Sequence, residues 1–147
     1  MDAAARLNAV AIRLDALAET DGLWRAWLED ARRRYRLDEG DLDTGELDAQ
    51  LPNWRALLER FAEERAPVYF RPDASVTDAL RRLQRNGVRI GVFAGGPLEL
   101  ARVALSHLGA SRRVELLEAG PGALGRIRDA LGGDATVVGT RTELLAL

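Results

Sequence analysis

Residues 75–97 read SVTDALRRLQRNGVRIGVFAGGP, and two different periodicities meet inside that stretch. Val76, Ala79, Leu80 and Leu83 recur at i, i+3, i+4 and i+7, the apolar stripe of an amphipathic helix. Asn86-Gly87 then stops the helix, because glycine enters the left-handed conformation without a steric penalty. Val88, Ile90, Val92 and Phe93 follow as a buried strand that runs to Ala94. Gly95-Gly96-Pro97 turns the chain and puts proline at a helix start, where its missing N–H costs nothing. Helix, strand, turn and helix in one unbroken run is the repeating unit of an α/β domain.

The same alternation extends toward the C-terminus. A helix runs to about Leu108 and stops at Gly109; Val114 to Leu117 reads as a strand. Leu124 to Leu131 then reads as a helix, and Ala135 to Val138 as a further strand. Such alternation implies parallel strands joined by right-handed helical crossovers. Toward the N-terminus one more strand, Ala9 to Leu14, precedes a change of pattern. From about Asp21 to Ala66 the chain reads as helical throughout. Leu23, Trp24, Trp27, Leu28, Ala31 and Tyr35 share one helical face; Trp54, Leu57, Leu58 and Phe61 share another, opened by Pro52-Asn53 as a cap. Pro67 and Arg71-Pro72-Asp73 mark the exit from this helical block, which interrupts the α/β pattern after its first strand.

Composition narrows the chemistry. The 147 residues are 47% hydrophobic and 30% charged, ordinary for a globular domain. A net charge of -2 gives no overall bias toward nucleic acid or an anionic membrane, and we expect neither as a partner. The apolar runs are far too short to span a bilayer. Met1 leads into Asp2 and an alanine-rich start without a basic segment, so no secretory signal is expected and the cytoplasm is the expected location. Cysteine is absent, which removes disulfides, thiolate nucleophiles and cysteine metal sites together. Lysine is absent too: all 21 basic residues are arginine. A Schiff base, a P-loop lysine and a lysine general base are therefore excluded. His107 is the sole histidine, so multi-histidine metal sites are excluded as well.

The layout resembles the haloacid dehalogenase-like hydrolases with a helical cap, such as phosphoglycolate phosphatase-like proteins. Arg71-Pro72-Asp73 through Ala94, then Leu108-Gly109-Ala110, looks like the family's cap exit, helix, strand and helix end. Val10 to Asp15 with Asp21-Gly22-Leu23-Trp24 looks like its first strand and cap approach. The resemblance covers nearly the whole chain, by pattern more than by diagnostic motifs. It implies an α/β fold: a Rossmann-like parallel sheet of about four strands with a helical cap inserted after the first strand. Residues 1–18 and 70–147 would form the core and residues 19–69 the cap. Only seven residues follow Thr140, so the last strand and helix common in the family are expected to be missing.

What the resemblance implies for the site is mostly loss. The family's first motif, Asp-x-Asp-x-Thr after the first strand, supplies a nucleophile that also binds magnesium, then a general acid and base. Here the natural register reads Arg13-Leu14-Asp15-Ala16-Leu17, with Arg13 at the nucleophile and Asp15 keeping the acid/base position. Sliding the register to make Asp15 the nucleophile puts Leu17 at the second aspartate. A guanidinium stays protonated, so it cannot attack phosphorus, and it would oppose a magnesium ion beside it. The blander reading of Arg13 is a side chain that snorkels from the strand end and pairs with Asp15 or a cap residue.

The second motif, a serine or threonine at the second strand's end, falls on Ala94. Gly95 and Gly96 still offer backbone N–H groups at a helix start, although an ordinary tight turn explains them as well. The third motif's lysine has no counterpart in Glu118-Ala119-Gly120-Pro121-Gly122; Arg126 is the nearest cation. In the fourth motif Gly139 matches, Thr140 replaces the metal-binding acid, and Glu143 is at best a displaced ligand. The expected ligand-binding positions are thus Arg13, Ala94, Gly95, Gly96 and Thr140, with Asp15 the retained catalytic candidate.

Four other features read as ordinary surface or core. Asp41-Leu42-Asp43-Thr44-Gly45 imitates the first motif, but lacks a preceding strand and reads as a solvated acidic loop. Arg32-Arg33-Arg34-Tyr35-Arg36 is flanked by acids and reads as a solvated helix face. His107 reads as a surface or packing residue, and the three tryptophans as the core of the helical block or its contact with the main domain.

The leading expectation is a protein of this fold without catalysis, acting by binding, with a homo-oligomer or regulatory protein as partner. It needs no cofactor. One alternative is a phosphatase of small phosphorylated metabolites with a rearranged site using Asp15 and Glu143, which would need magnesium. Another is a metal-free sensor of a phosphorylated metabolite, with Arg13 supplying the positive charge.

Overall fold

Ala9, Val10, Ala11 and Ile12 are each almost inaccessible to solvent, and a strand buried on both faces must be apolar at successive positions. The computed structural model, which describes residues 7–40 and 42–147, places this run at the inside of a parallel sheet. In chain order the elements begin with β1 (Ala9–Arg13), a 3₁₀ turn (Leu14–Ala16), α1 (Asp21–Tyr35), α2 (Thr44–Gln50) and α3 (Trp54–Tyr69). They continue with α4 (Ala74–Arg85), β2 (Arg89–Ala94), α5 (Leu98–His107), β3 (Leu116–Ala119), α6 (Ala123–Leu131), β4 (Thr136–Val138) and α7 (Arg141–Leu145). The strand order is β3-β2-β1-β4, parallel throughout. The expected α/β class, parallel sheet and helical interruption after the first strand are all present.

Alternation along the strands gives the sheet two faces. Val10, Ile12, Ile90 and Val92 pack on one face against Leu80 and Leu83 of α4, Leu105 of α5 and Leu144 of α7. Ala9, Ala11 and Phe93 pack on the other face against Ala123, Ile127 and Leu131 of α6. Gly91 lies under that helix. A Cβ there would stand 2.8 Å from Ile127 Cγ2 and 2.9 Å from Leu131 Cδ1, so its absence lets α6 rest directly on β2.

The helices α1 to α3 form their own core, which is continuous with α5. Leu23, Trp27, Leu47, Trp54 and Leu58 bury together with Leu100, Val103 and Ala104. The tryptophan rings of Trp24, Trp27 and Trp54 lie 5.5–6.1 Å apart, within the range of favourable aromatic pairs.

Several boundaries differ from the sequence reading. β1 stops at Arg13 because Leu14 begins the 3₁₀ turn. β3 starts two residues later than Val114: the Glu115 N–H donates to Ile90 O, and its carboxylate is taken by Arg89 at 2.7 Å. Pro67 does not end its helix. α3 runs through it to Tyr69, since a proline near a helix end forfeits one bond while the next, Phe70 N–H to Ala66 O at 2.7 Å, still forms and Phe70 is buried. Asn53 sits at the N-cap of α3 as expected, but its side chain makes no capping bond.

Candidate functional site

A parallel sheet brings the carboxyl ends of its strands to one edge, where the connecting loops shape a crevice. Here β1, β2 and β3 end at Arg13, Ala94 and Ala119, and a cleft of about 680 Å³ lies between this edge and the helical insert. Leu14 and Asp15 line it after β1, Ala94, Gly95 and Gly96 after β2, and Gly120 and Pro121 after β3. The insert contributes Asp21, Trp24, Asp43, Thr44 and Arg55.

The expected site residues separate into two groups. Asp15, in the 3₁₀ turn, is exposed, and its side chain pairs with no cation among the described residues. Ala94, Gly95 and Gly96 border the same cleft, and a Cβ on either glycine would meet open space. Arg13 does not line the cleft. The expected pairing with Asp15 or an insert residue is not formed among the described residues; the guanidinium lies instead 5.9 Å from the Phe93 ring centroid. Strand register is the cause, since Phe93 is the β2 partner of Arg13 and presents its ring beside it.

Thr140 is likewise outside the cleft. Its hydroxyl oxygen accepts the Glu143 N–H at 3.1 Å as the N-cap of α7, and its O–H donates to the Glu143 carboxylate at 3.2 Å. Both groups are thereby occupied with each other. Arg126 folds back on its own loop, donating to Ala119 O and Pro121 O at 2.9 Å each and to Glu118 at 3.2 Å.

Sequence reasoning missed the contribution of the insert. Leu42 and Thr44 belong to the stretch read as a solvated loop, yet Leu42 is buried and both line the cleft beside Asp43. Asp41 lies outside the described residues. Asp43 caps α2 by accepting the Glu46 N–H at 2.8 Å, and the Asp-x-x-Glu spacing was the available signal of a helix start. Arg55, the lining cation among the described residues, carried no signal. It donates to Glu99 at 3.2 and 3.3 Å and lies 4.4 Å from the Trp54 ring centroid. His107 is exposed, beside a separate groove of about 230 Å³ between α3 and α5.

Shifted acidities fall outside the cleft. Hydrogen bonds from Ser75, with help from Val76 and Arg141, hold the Asp73 carboxyl below its ordinary value. The Arg89–Glu115 pair lowers the glutamate and raises the arginine, through the hydrogen bonds between them and then their opposite charges. A magnesium ion at the strand ends would need carboxylate oxygens in near-octahedral array. Asp15 is the carboxylate available after β1, Arg13 ends that strand, and Thr140 after β4 is spent on capping. Among the described residues no group of three or more His, Asp or Glu side chains is placed to hold a metal. The donor set does not fit magnesium. No described helix is long and apolar enough to cross a membrane.

No protein-family model matches the sequence, and no curated protein does. Solved structures do match. A Thermotoga maritima protein described as a beta-phosphoglucomutase aligns over 95% of this chain and 81% of its own, at 13% identity and a TM-score of 0.56. CbbY from Rhodobacter sphaeroides, solved in complex with phosphate, aligns over 97% of this chain and 84% of its own, at 15% identity and a TM-score of 0.59. At such identities the likeness establishes the fold alone, an α/β fold shared with these two structures over nearly the whole chain.

Proposed function

We propose that this chain uses the phosphatase fold to bind a small molecule in the cleft above β1 and β2 without hydrolysing it. A fold hosts many functions, so the argument rests on the site. The observation that carries it is the division of the expected site: the cleft is open and lined by Asp15, Ala94, Gly95 and Gly96, while Arg13 and Thr140 are engaged elsewhere. Phosphoryl transfer depends on a placed nucleophile and on neutralised charge. An aspartate with no second carboxylate beside it at the strand end supplies neither. Binding needs less, namely a cavity with a few oriented polar groups.

The ligand class to examine first is a phosphorylated metabolite, since the CbbY neighbour is described with phosphate and the backbone at Gly95 and Gly96 faces the cleft. A metal-free sensor that draws its charge from Arg13 has no support from the cleft, because Arg13 turns to Phe93. The phosphatase reading keeps one favourable observation, the unpaired Asp15 carboxylate in the cleft.

An aryl phosphate, with and without magnesium, separates the two. The expected result is no turnover above the buffer control in either condition, alongside a rise in melting temperature with at least one member of a metabolite panel that includes inorganic phosphate. A ligand present at a hundred times its Kd stabilises by about 2.7 kcal/mol, enough for a shift of several degrees. Magnesium-dependent turnover abolished by Asp15→Asn would overturn the proposal.

A further inference from the structure

Anionic and cationic ligands make opposite demands on a cleft, and the charges that line this one are lopsided. Asp15, Asp21 and Asp43 bring carboxylates to the wall, against the single lining guanidinium of Arg55. That guanidinium is already taken. Its Nη1 lies 3.2 and 3.3 Å from the two carboxylate oxygens of Glu99, and its central carbon lies 4.4 Å from the Trp54 ring centroid. The aspartates have no such relief, since none of them pairs with a cation among the described residues.

Their positions spread one sign of charge around the opening. Asp15 stands in the turn after β1, Asp21 in the first turn of α1, and Asp43 at the N-cap of α2. All are exposed, and Asp43 accepts the Glu46 N–H through Oδ1. A metal ion is the first cation such a wall suggests, and the geometry speaks against it. Among the described residues no three His, Asp or Glu side chains are placed to hold one. An organic cation spreads its charge over several atoms, so it tolerates carboxylates that stand apart.

Trp24 adds the matching surface. It is half-buried, backed by Trp27 and Trp54 at 5.5 and 6.1 Å between ring centroids, and still lines the cleft. An aromatic face attracts a cation through its quadrupole, and indole does so best. Its apolar area also suits the carbons around an ammonium group, which a hydrated metal ion lacks.

We infer that the cleft takes an organic cation, an ammonium group held against Trp24 and among Asp15, Asp21 and Asp43. The inference rests on the reading of the cleft as a binding site and narrows its ligand. A phosphorylated metabolite suits this wall on one condition, that it carries an ammonium group as well. Phosphate alone brings the sign of charge already in excess.

Titration of the full chain at low ionic strength, followed by tryptophan fluorescence, tests it with two matched pairs. One is choline against dimethylbutanol, its uncharged carbon isostere; the other is putrescine against butanediol. Inorganic phosphate is the anionic probe. Each cation should bind about tenfold tighter than its neutral partner, the scale of a cation–π contact and an exposed ion pair together. That advantage should shrink as salt rises. Replacing both Asp21→Asn and Asp43→Asn, which keeps a capping side chain at 43, should remove most of it and leave dimethylbutanol unchanged. A cation that binds no tighter than its isostere, or phosphate that binds tighter than either cation, would overturn the inference. So would a double variant that keeps the full advantage; the isostere comparison in the unsubstituted chain stands even if that variant fails to fold. No response to either cation also overturns it, and the metabolite panel above then reports separately on whether the cleft binds at all.

Discussion

Asp73 joins three parts of the chain with one carboxylate. It accepts the N–H groups of Ser75 and Val76 at 2.9 and 3.4 Å as the N-cap of α4, and takes Arg141 at 3.1 Å from the start of α7. The Ser75 hydrogen bonds come first among the causes that lower its pKa, with Arg141 a smaller one. A carboxyl whose folded pKa is depressed contributes stability above its unfolded value, about 3.9, and loses it as pH falls through the folded value. Asp73→Ala should therefore melt below the unsubstituted chain at pH 7, and the gap should narrow as pH falls from 5 to 3. Melting curves at a series of pH values check this; a gap of constant size would remove the carboxylate from the argument. In the sequence Arg71-Pro72-Asp73 reads as the exit from the helical block ahead of the apolar stripe of α4, and the capping role of Asp73 emerges only in the fold. So does the tie to Arg141, because it joins residues 68 apart that only the fold brings together.

At the scale of elements, α6 and β2 meet through Gly91. Periodicity shows both elements, but no local rule says why a strand interior should hold glycine, which weakens strands by entropy. The contact is the reason. Ile127 is β-branched and fully buried, so its Cγ2 has nowhere to go when a Cβ appears 2.8 Å away. Gly91→Ala should lower the urea midpoint by the equivalent of about 1–3 kcal/mol, the usual cost of overpacking a core. Gly125, on the same helix, has nothing within 4 Å of its absent Cβ, and Gly125→Ala should raise the midpoint by about 0.5–1 kcal/mol through helix propensity alone. Equal effects at the two positions would mean that α6 does not press on β2. Boundaries were the poorly legible part of the elements. Pro67 misled because propensity carries no knowledge that Phe70 would bury beyond it, and β3 shifted because the Arg89–Glu115 pair lies outside any single-strand pattern.

For the whole molecule, the half of the cleft that comes from the sheet was legible and the half that comes from the insert was not. Strand ends and glycine turns follow from local sequence, whereas Arg55, Asp21 and Asp43 reach the cleft only after three helices have packed on α5. That dependence has a thermodynamic consequence, because the wall of the site and the body of the fold then share one core. All three tryptophans lie in the insert, so fluorescence follows the insert, while far-UV circular dichroism follows every helix and the sheet. With the helices of the insert packed on α5, the two signals should trace one urea transition with one midpoint, as cooperative single-unit unfolding requires. Trp54 is fully buried, donates its Nε1–H to Asp48 at 2.7 Å and touches both other tryptophans. Trp54→Ala should cost about 3–5 kcal/mol, as removal of a buried aromatic does, and should move both signals together, since damage in the insert is felt by the sheet through α5. A fluorescence transition that precedes the dichroism transition, in the unsubstituted chain or in the variant, would mean an insert that melts on its own and a cleft with one wall free to leave.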